Sequence, residues 1–166
     1  MNLQNFKSCV DEIKQSDLDK FKDILTQFNS IILLGNGGSN SITLHIAQDY
    51  CKMLYKRAVS FGDTSRMSCY ANDYGWENAY RQFLIEFADD DSLVILISSS
   101  GNSENILKSA DYCLEKNIAL VTLSGFSPDN KLHTQYQKHA LQQFYVNSKD
   151  YGIVECIHKV ILHSVI

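Results

Sequence analysis

Four side chains in this sequence have the types and spacing to do chemistry: His45, Asp49, Glu155 and His163. His45 and Asp49 stand four apart in a stretch of helical pattern, which makes them neighbours on one face. Glu155 and His163 stand eight apart near the end of the chain. On one helix they lie about 80° apart around the axis and about 12 Å apart along it, so they reach a common point only by leaning towards each other. His158 lies about 140° round from His163 on the same geometry and reads as a packed or supporting histidine. Two imidazoles and two carboxylates suit Zn2+ or a similar divalent ion. They suit proton transfer equally well, because histidine and carboxylates are the usual general acids and bases. Whether the two helices meet is a question for the fold. His133 and His139 sit in a polar stretch without partner spacing and read as surface residues.

Two loops supply the other half of a site. Residues 35–39, GNGGS, and residues 98–103, SSSGNS, each follow an apolar run and open a helical one. A helix start offers free N–H groups and partial positive charge to an anion. Gly35, Gly37 and Gly38 allow close backbone approach, and the hydroxyls of Ser98, Ser99, Ser100 and Ser103 add hydrogen bonds for a phosphate. Neither loop is a GxGxxG or a Walker loop, which argues against a nucleotide. One such loop is commonly a plain turn, but two in one small α/β chain favour a phosphorylated small molecule.

The elements that must position these residues follow from periodicity. Residues 3–27 predict one broken or two short amphipathic helices. Short apolar runs at 30–35, 58–62, 92–98, 118–124 and 140–146 predict strands, of which 92–98 is the clearest. Helices are predicted over 39–55, from about 76 to 87, over 103–117 and over 150–166, with a short helix or turn within 128–138. On the 39–55 helix, Ile42, His45, Ile46, Asp49 and Met53 fall roughly on one side. Residues 63–75 read as an aromatic, polar loop. Strands alternating with helices predict one doubly wound α/β domain over 1–166, with a mostly parallel five-stranded sheet and an N-terminal helical segment at 1–28.

The composition narrows the function. The 166 residues are 45% hydrophobic and 20% charged, with net charge −4, as in ordinary globular domains. Scattered lysines and arginines on an acidic chain give no support for nucleic-acid binding. Neither a signal-peptide pattern nor a run of roughly 20 apolar residues is present, so no membrane role is expected. Five cysteines without CxxC spacing read as reduced, mostly buried thiols of a cytoplasmic protein.

Taken in order along the chain, these pieces are familiar. GNGGS, the His45-Ile-Ala-Gln-Asp49 segment, DTSRMSCYANDYG at 63–75, SSSGNS and the last helix with Glu155, His158 and His163 together resemble the sugar isomerase (SIS) domain proteins. The similarity is specifically to the bacterial phosphoheptose isomerases and runs over nearly the whole chain. It implies an SIS-like fold and an aldose–ketose isomerase. Such an enzyme interconverts sedoheptulose 7-phosphate and a glycero-manno-heptose 7-phosphate through an enediolate, for surface polysaccharide. It further implies a homotetramer with active sites between subunits, often holding zinc. Substrate contacts are implied for Asn36, Gly37, Gly38, Ser39, Asp49, Asn72, Asp73, Ser98, Ser99, Ser100, Ser103 and Glu155. The implied metal set is His45, Asp49, Glu155 and His163, with Asp49, Glu155 and His163 as acid and base groups.

Two positions depart from the family's pattern, which usually has glutamate at 49 and glutamine at 155. Asp49 is one methylene shorter, and misplacement by about 1 Å costs up to roughly 10²-fold in rate. Glu155 adds a negative charge, which strengthens a cation site. The exchanges fit three outcomes: compensation between the two helices, another sugar phosphate as substrate, or a non-catalytic SIS tetramer that binds a sugar phosphate or a protein, like the replication initiator-associating relatives.

Overall fold

The computed structural model describes residues 1–166. Helices α1 (Leu3–Asp11) and α2 (Gln15–Thr26) precede strand β1 (Ser30–Gly35), helix α3 (Gly38–Leu54) and strand β2 (Arg57–Ser60). Helices α4 (Thr64–Tyr74) and α5 (Trp76–Phe87) lead to β3 (Ser92–Ser98) and α6 (Glu104–Lys116). The chain then runs through β4 (Ala119–Gly125), the short α7 (Lys131–Thr134), β5 (Gln142–Val146) and α8 (Tyr151–His163). The strands form one sheet in the order β2-β1-β3-β4-β5, parallel throughout, as the α/β reading expects.

The alternation of side chains along each strand divides the core in two. Ile31, Leu33, Leu93, Ile95 and Ile97 face a layer that includes Phe21, Ile46, Tyr50, Ile157 and Leu162 of α2, α3 and α8. Ile32, Leu34, Val94 and Leu96 face the other layer, with Tyr80, Phe83, Leu84, Ile106 and Ala110 of α5 and α6. Burial on both faces explains why β1 and β3 are unbroken apolar runs rather than alternating ones.

The strand order also fixes where a ligand belongs. Chain direction across the sheet reverses between β1 and β3, and in open parallel sheets ligands sit beyond the carboxyl ends of the strands at that switch. Gly35 ends β1 beside Ile97 of β3. The GNGGS and SSSGNS loops therefore leave the sheet side by side.

Several expectations from sequence need correction. Residues 63–75 are not a loop: α4 fills them, with the Asp63 side chain accepting from the Arg66 N–H at 2.6 Å. Its helical pattern is weak because Tyr70 alone is buried, and that ring packs on Phe61. Gly75, at φ +80, separates α4 from α5. On α3, Ile42 and Ile46 are buried while His45 and Met53 are exposed, so the face assigned to all five residues is split between core and surface. The cysteines are all free, but only Cys9 and Cys113 are buried, and Cys51, Cys69 and Cys156 are exposed. His133 and His139 are half-buried rather than on the surface, and each has one buried ring nitrogen without a partner.

Candidate functional site

Strand β1 delivers its chain into a loop that opens α3 with little shielding. Gly37 caps the helix at φ 54, a left-handed conformation that suits glycine, and no side chain bonds the first N–H groups. A Cβ on Gly38 would meet the Glu155 carboxylate oxygens at 2.3 and 2.5 Å. The Glu155 carboxylate of α8 thus lies directly over the start of α3, where only glycine leaves it room. Burial holds this carboxyl above its ordinary value, with no hydrogen bond or cation among the causes to offset it.

The loop after β3 is organised differently. The Ser98 Oγ accepts from the Gly101 N–H at 3.1 Å and lies 3.2 Å from the Ser103 Oγ. The Ser100 Oγ accepts from the Asn102 N–H at 3.3 Å. Ser103 caps α6 without a side-chain bond to it. Ser99 is buried, and its hydroxyl has no partner in the protein. Such a group is costly to bury unless something else satisfies it.

Both loops line one cavity of about 250 Å³, together with Ile97, Tyr151 and Glu155. Asn36, Gly37, Gly38, Ser39, Ser98, Ser99, Ser100 and Ser103 all stand in its wall. The lining contains no lysine, arginine or histidine. An anion there must be held by backbone N–H groups, helix dipoles and hydroxyls. Tyr151 has no spacing or motif that marks it in the sequence. Its ring packs edge-on against Phe126 at 4.7 Å, and Phe126 itself sits at φ 62 just beyond β4.

Helices α3 and α8 lie alongside one another in the same direction. Gly38 meets Glu155 at one end, and at the other the Tyr50 hydroxyl donates to the Leu162 carbonyl at 2.9 Å. Near that second end His45, Asp49 and His163 converge, with ligand-type atoms all within 4.8 Å of one another. The Asp49 Oδ2 lies 3.2 Å from the Nε2 of His45 and 3.2 Å from the Nε2 of His163. Asp49 and His163 are partly buried, and His45 is exposed.

This donor set fits a divalent cation. The Nδ1 of His163 lies 2.9 Å from the Lys159 carbonyl oxygen, which can only accept. A neutral His163 therefore carries its proton on Nδ1 and turns a lone pair on Nε2 towards the Asp49 oxygen. Two lone pairs facing each other call for a proton or a cation between them. A ligand histidine whose other nitrogen donates to a backbone carbonyl is also the usual arrangement at a metal.

Glu155, placed by the sequence reading among the metal-holding residues, is not in this group. Eight helical residues, about 12 Å along the axis, separate it from His163, and its carboxylate turns to the first loop instead. Asn72 and Asp73 do not reach the cavity within this chain. They sit on exposed α4 and bond each other at 2.8 Å. His158 is packed, as its spacing predicts: it is fully buried with Nε2 3.1 Å from the Ser124 carbonyl oxygen, and burial pushes its pKa down to about 4.

The likeness to known proteins agrees in fold and in family. No family model matches the chain. A phosphoheptose isomerase of Cytophaga hutchinsonii is 34% identical over 132 residues, covering 74% of this chain and 68% of that protein. One from Fusobacterium nucleatum is 29% identical, covering 99% of this chain and 86% of its own. Among solved structures, the phosphoheptose isomerase of Neisseria gonorrhoeae superimposes with a TM-score of 0.89 at 20% identity, over 98% of this chain and 89% of that one; at this identity the match speaks for the fold.

Proposed function

From the premise that this chain belongs to the phosphoheptose isomerase family, we propose that it interconverts sedoheptulose 7-phosphate and a glycero-manno-heptose 7-phosphate. The chain is an aldose–ketose isomerase. The observation that carries the substrate reading is the single cavity in which two anion-type loops meet the Glu155 carboxylate, with a histidine–aspartate group further along the same pair of helices.

Isomerisation moves a proton between adjacent carbons and needs a base, an acid and stabilisation of the enediolate oxygen. The serine loop anchors the phosphate through the α6 start and the hydroxyls of Ser98, Ser99, Ser100 and Ser103. That anchoring holds the reacting carbons in place, which is worth a large part of the barrier. Glu155, where the family usually has glutamine, takes the base role in this chain, because its carboxylate lines the cavity and is not committed to another group. With no cation between them, Asp49 and His163 share one proton across 3.2 Å and form the acid pair that exchanges protons with the sugar oxygens. His45, Asp49 and His163 are the residues to hold Zn2+, which when bound supplies Lewis-acid polarisation of the sugar carbonyl.

His45 is exposed and His163 half-exposed, and α8 presents Cys156, Lys159, Val160, His163 and Ser164 around a wide shallow hollow. That exposure supports a homotetramer whose neighbouring subunits close the site and bring Asn72 and Asp73 of one subunit to the cavity of another. No helix is long and apolar enough to cross a membrane, in keeping with a cytoplasmic supplier of heptose for surface polysaccharide.

The test is isotope exchange. Purified protein is incubated with sedoheptulose 7-phosphate in deuterium oxide, with and without added zinc. Aldose product carrying deuterium at C2 is the expected result. Absence of both exchange and aldose, while the sugar phosphate still protects the protein against heat, would reduce the chain to a binder.

A further inference from the structure

Asn36 lines the cavity, but its side chain is not held by its own loop. The Asn36 Nδ2 donates to the Asn105 Oδ1 at 2.8 Å, and the Asn105 Nδ2 donates back to the Asn36 Oδ1 at 2.9 Å. Asn105 lies on the first turn of α6, is 2% exposed, and is not part of the cavity lining. We infer that Asn105 is a positioning residue, whose buried amide sets the orientation of the Asn36 amide in the substrate cavity. The inference rests on the isomerase reading for its kinetic consequence, but not for the geometry itself.

A reciprocal amide pair satisfies both members equally well if both are turned over, so by itself it does not orient either one. A third contact removes that freedom. The backbone N–H of Ile106 donates to the Asn105 Oδ1 at 3.0 Å, and an N–H only donates. The oxygen of Asn105 is therefore fixed on that side, and the Asn36 Nδ2 must face it. Each Asn amide has two N–H bonds and two oxygen lone pairs. Asn36 spends one of each on Asn105, which leaves one N–H and one lone pair for a ligand, in known positions. A sugar hydroxyl, both donor and acceptor, matches that pair.

The same contact couples the two loops. Asn36 belongs to the loop after β1, and Asn105 begins the helix that the serine loop opens. Their separation of 69 residues in sequence is closed by two hydrogen bonds from a side chain the ligand does not touch. The Tyr80 hydroxyl adds a second clasp on the first loop, donating to the Gly35 carbonyl at 2.5 Å. The distance between a phosphate on the serine loop and a hydroxyl on Asn36 is thereby set by the protein.

Asn105→Asp and Asn105→Ala test this, with wild type alongside. The aspartate variant keeps the shape and the acceptance from Ile106 and loses the donor to Asn36. Two readouts are taken on the folded fraction of each. In the first, the Asn36 side-chain amide protons are followed by NMR. They are expected to be shifted and slow to exchange in wild type and to lose both features in Asn105→Ala; in Asn105→Asp the Asn36 N–H keeps an oxygen to donate to and stays shifted, while the Asn36 Oδ1 loses its donor. In the second, turnover of sedoheptulose 7-phosphate is expected to fall about 10- to 100-fold, the scale of a misplaced contact, while inhibition by inorganic phosphate stays within about twofold. Unchanged Asn36 amide signals in Asn105→Ala, or turnover per folded molecule equal to wild type in both variants, overturn the inference. A wild-type protein without turnover overturns the isomerase reading instead, and the NMR comparison still decides the role of Asn105.

Discussion

The two loop–helix junctions differ in how they are filled. The junction after β3 is wired to itself: Ser98, Ser100 and Ser103 bond within the loop, and one buried hydroxyl, that of Ser99, is left over. The junction after β1 carries no such wiring. It is a run of glycines with a foreign carboxylate from α8 laid across it. The first arrangement is a loop held by its own hydroxyls that keeps one of them for a ligand. The second puts a charged group in a partly dry place without a partner, which costs stability. A group kept at such a cost is a candidate for chemistry. One junction therefore holds, and the other, with the residues further along α3 and α8, reacts.

If that division is right, the largest loss comes from the reacting side. Asp49→Ala removes the oxygen that lies 3.2 Å from both His45 and His163. Loss of an acid or base group typically costs roughly 10²–10⁴-fold. Turnover by Asp49→Ala is expected to fall by that factor, and bound zinc, measured on the purified protein, is expected to fall with it. Turnover and zinc content both equal to wild type would remove Asp49 from the site.

Much of this division is legible in the sequence. β1 and β3 are nearly pure apolar runs ending at Gly35 and Ser98, so the sheet, its parallel sense and the two loops at its carboxyl end follow from pattern alone. The His45–Asp49 pair follows from helical spacing. What the sequence hides is every contact made between elements. Nothing in the spacing says that α8 runs beside α3, that His163 reaches Asp49, or that Glu155 parts company with both and covers Gly38. Asn105 carries no signal either, since a buried asparagine near a helix start looks like a cap. Helix α4 was hidden because only one of its residues enters the core, which leaves the apolar period too faint to read.

Glu155→Gln tests the cost on the reacting side. Burial raises the Glu155 pKa above 4.5, its ordinary value. Above pH 4.5 the folded state therefore binds more of this proton than the unfolded state does. Stability falls as pH rises through that window, and the loss persists at pH 7. Glutamine has no charge to desolvate. Glu155→Gln is expected to raise the melting temperature at pH 7, with a gain that shrinks as the pH is brought down to 4.5 and below, and to lower kcat by at least about 10²-fold if Glu155 is the base. A variant that is less stable at pH 7, or one that turns over at the wild-type rate, breaks the comparison from this side.

The smallest effect belongs to the holding side. Ser99→Ala deletes a buried hydroxyl that the protein itself does not satisfy. An unpaired buried polar group is a liability of about 1–3 kcal/mol in the free protein, so its removal is expected to leave the melting temperature unchanged or raised. In the complex the same hydroxyl gains a phosphate oxygen as partner, and a hydrogen bond to a charged group contributes about 1.5–3 kcal/mol. KM for the sugar phosphate and the inhibition constant for inorganic phosphate are therefore both expected to rise, by roughly 10-fold or more, while kcat stays close to wild type. The sign of the two changes together carries the point. A residue that served only to pack would lower stability and leave phosphate affinity alone, whereas an unspent hydroxyl in a finished holder does the reverse. Steady-state kinetics beside a thermal melt on one variant separates the two.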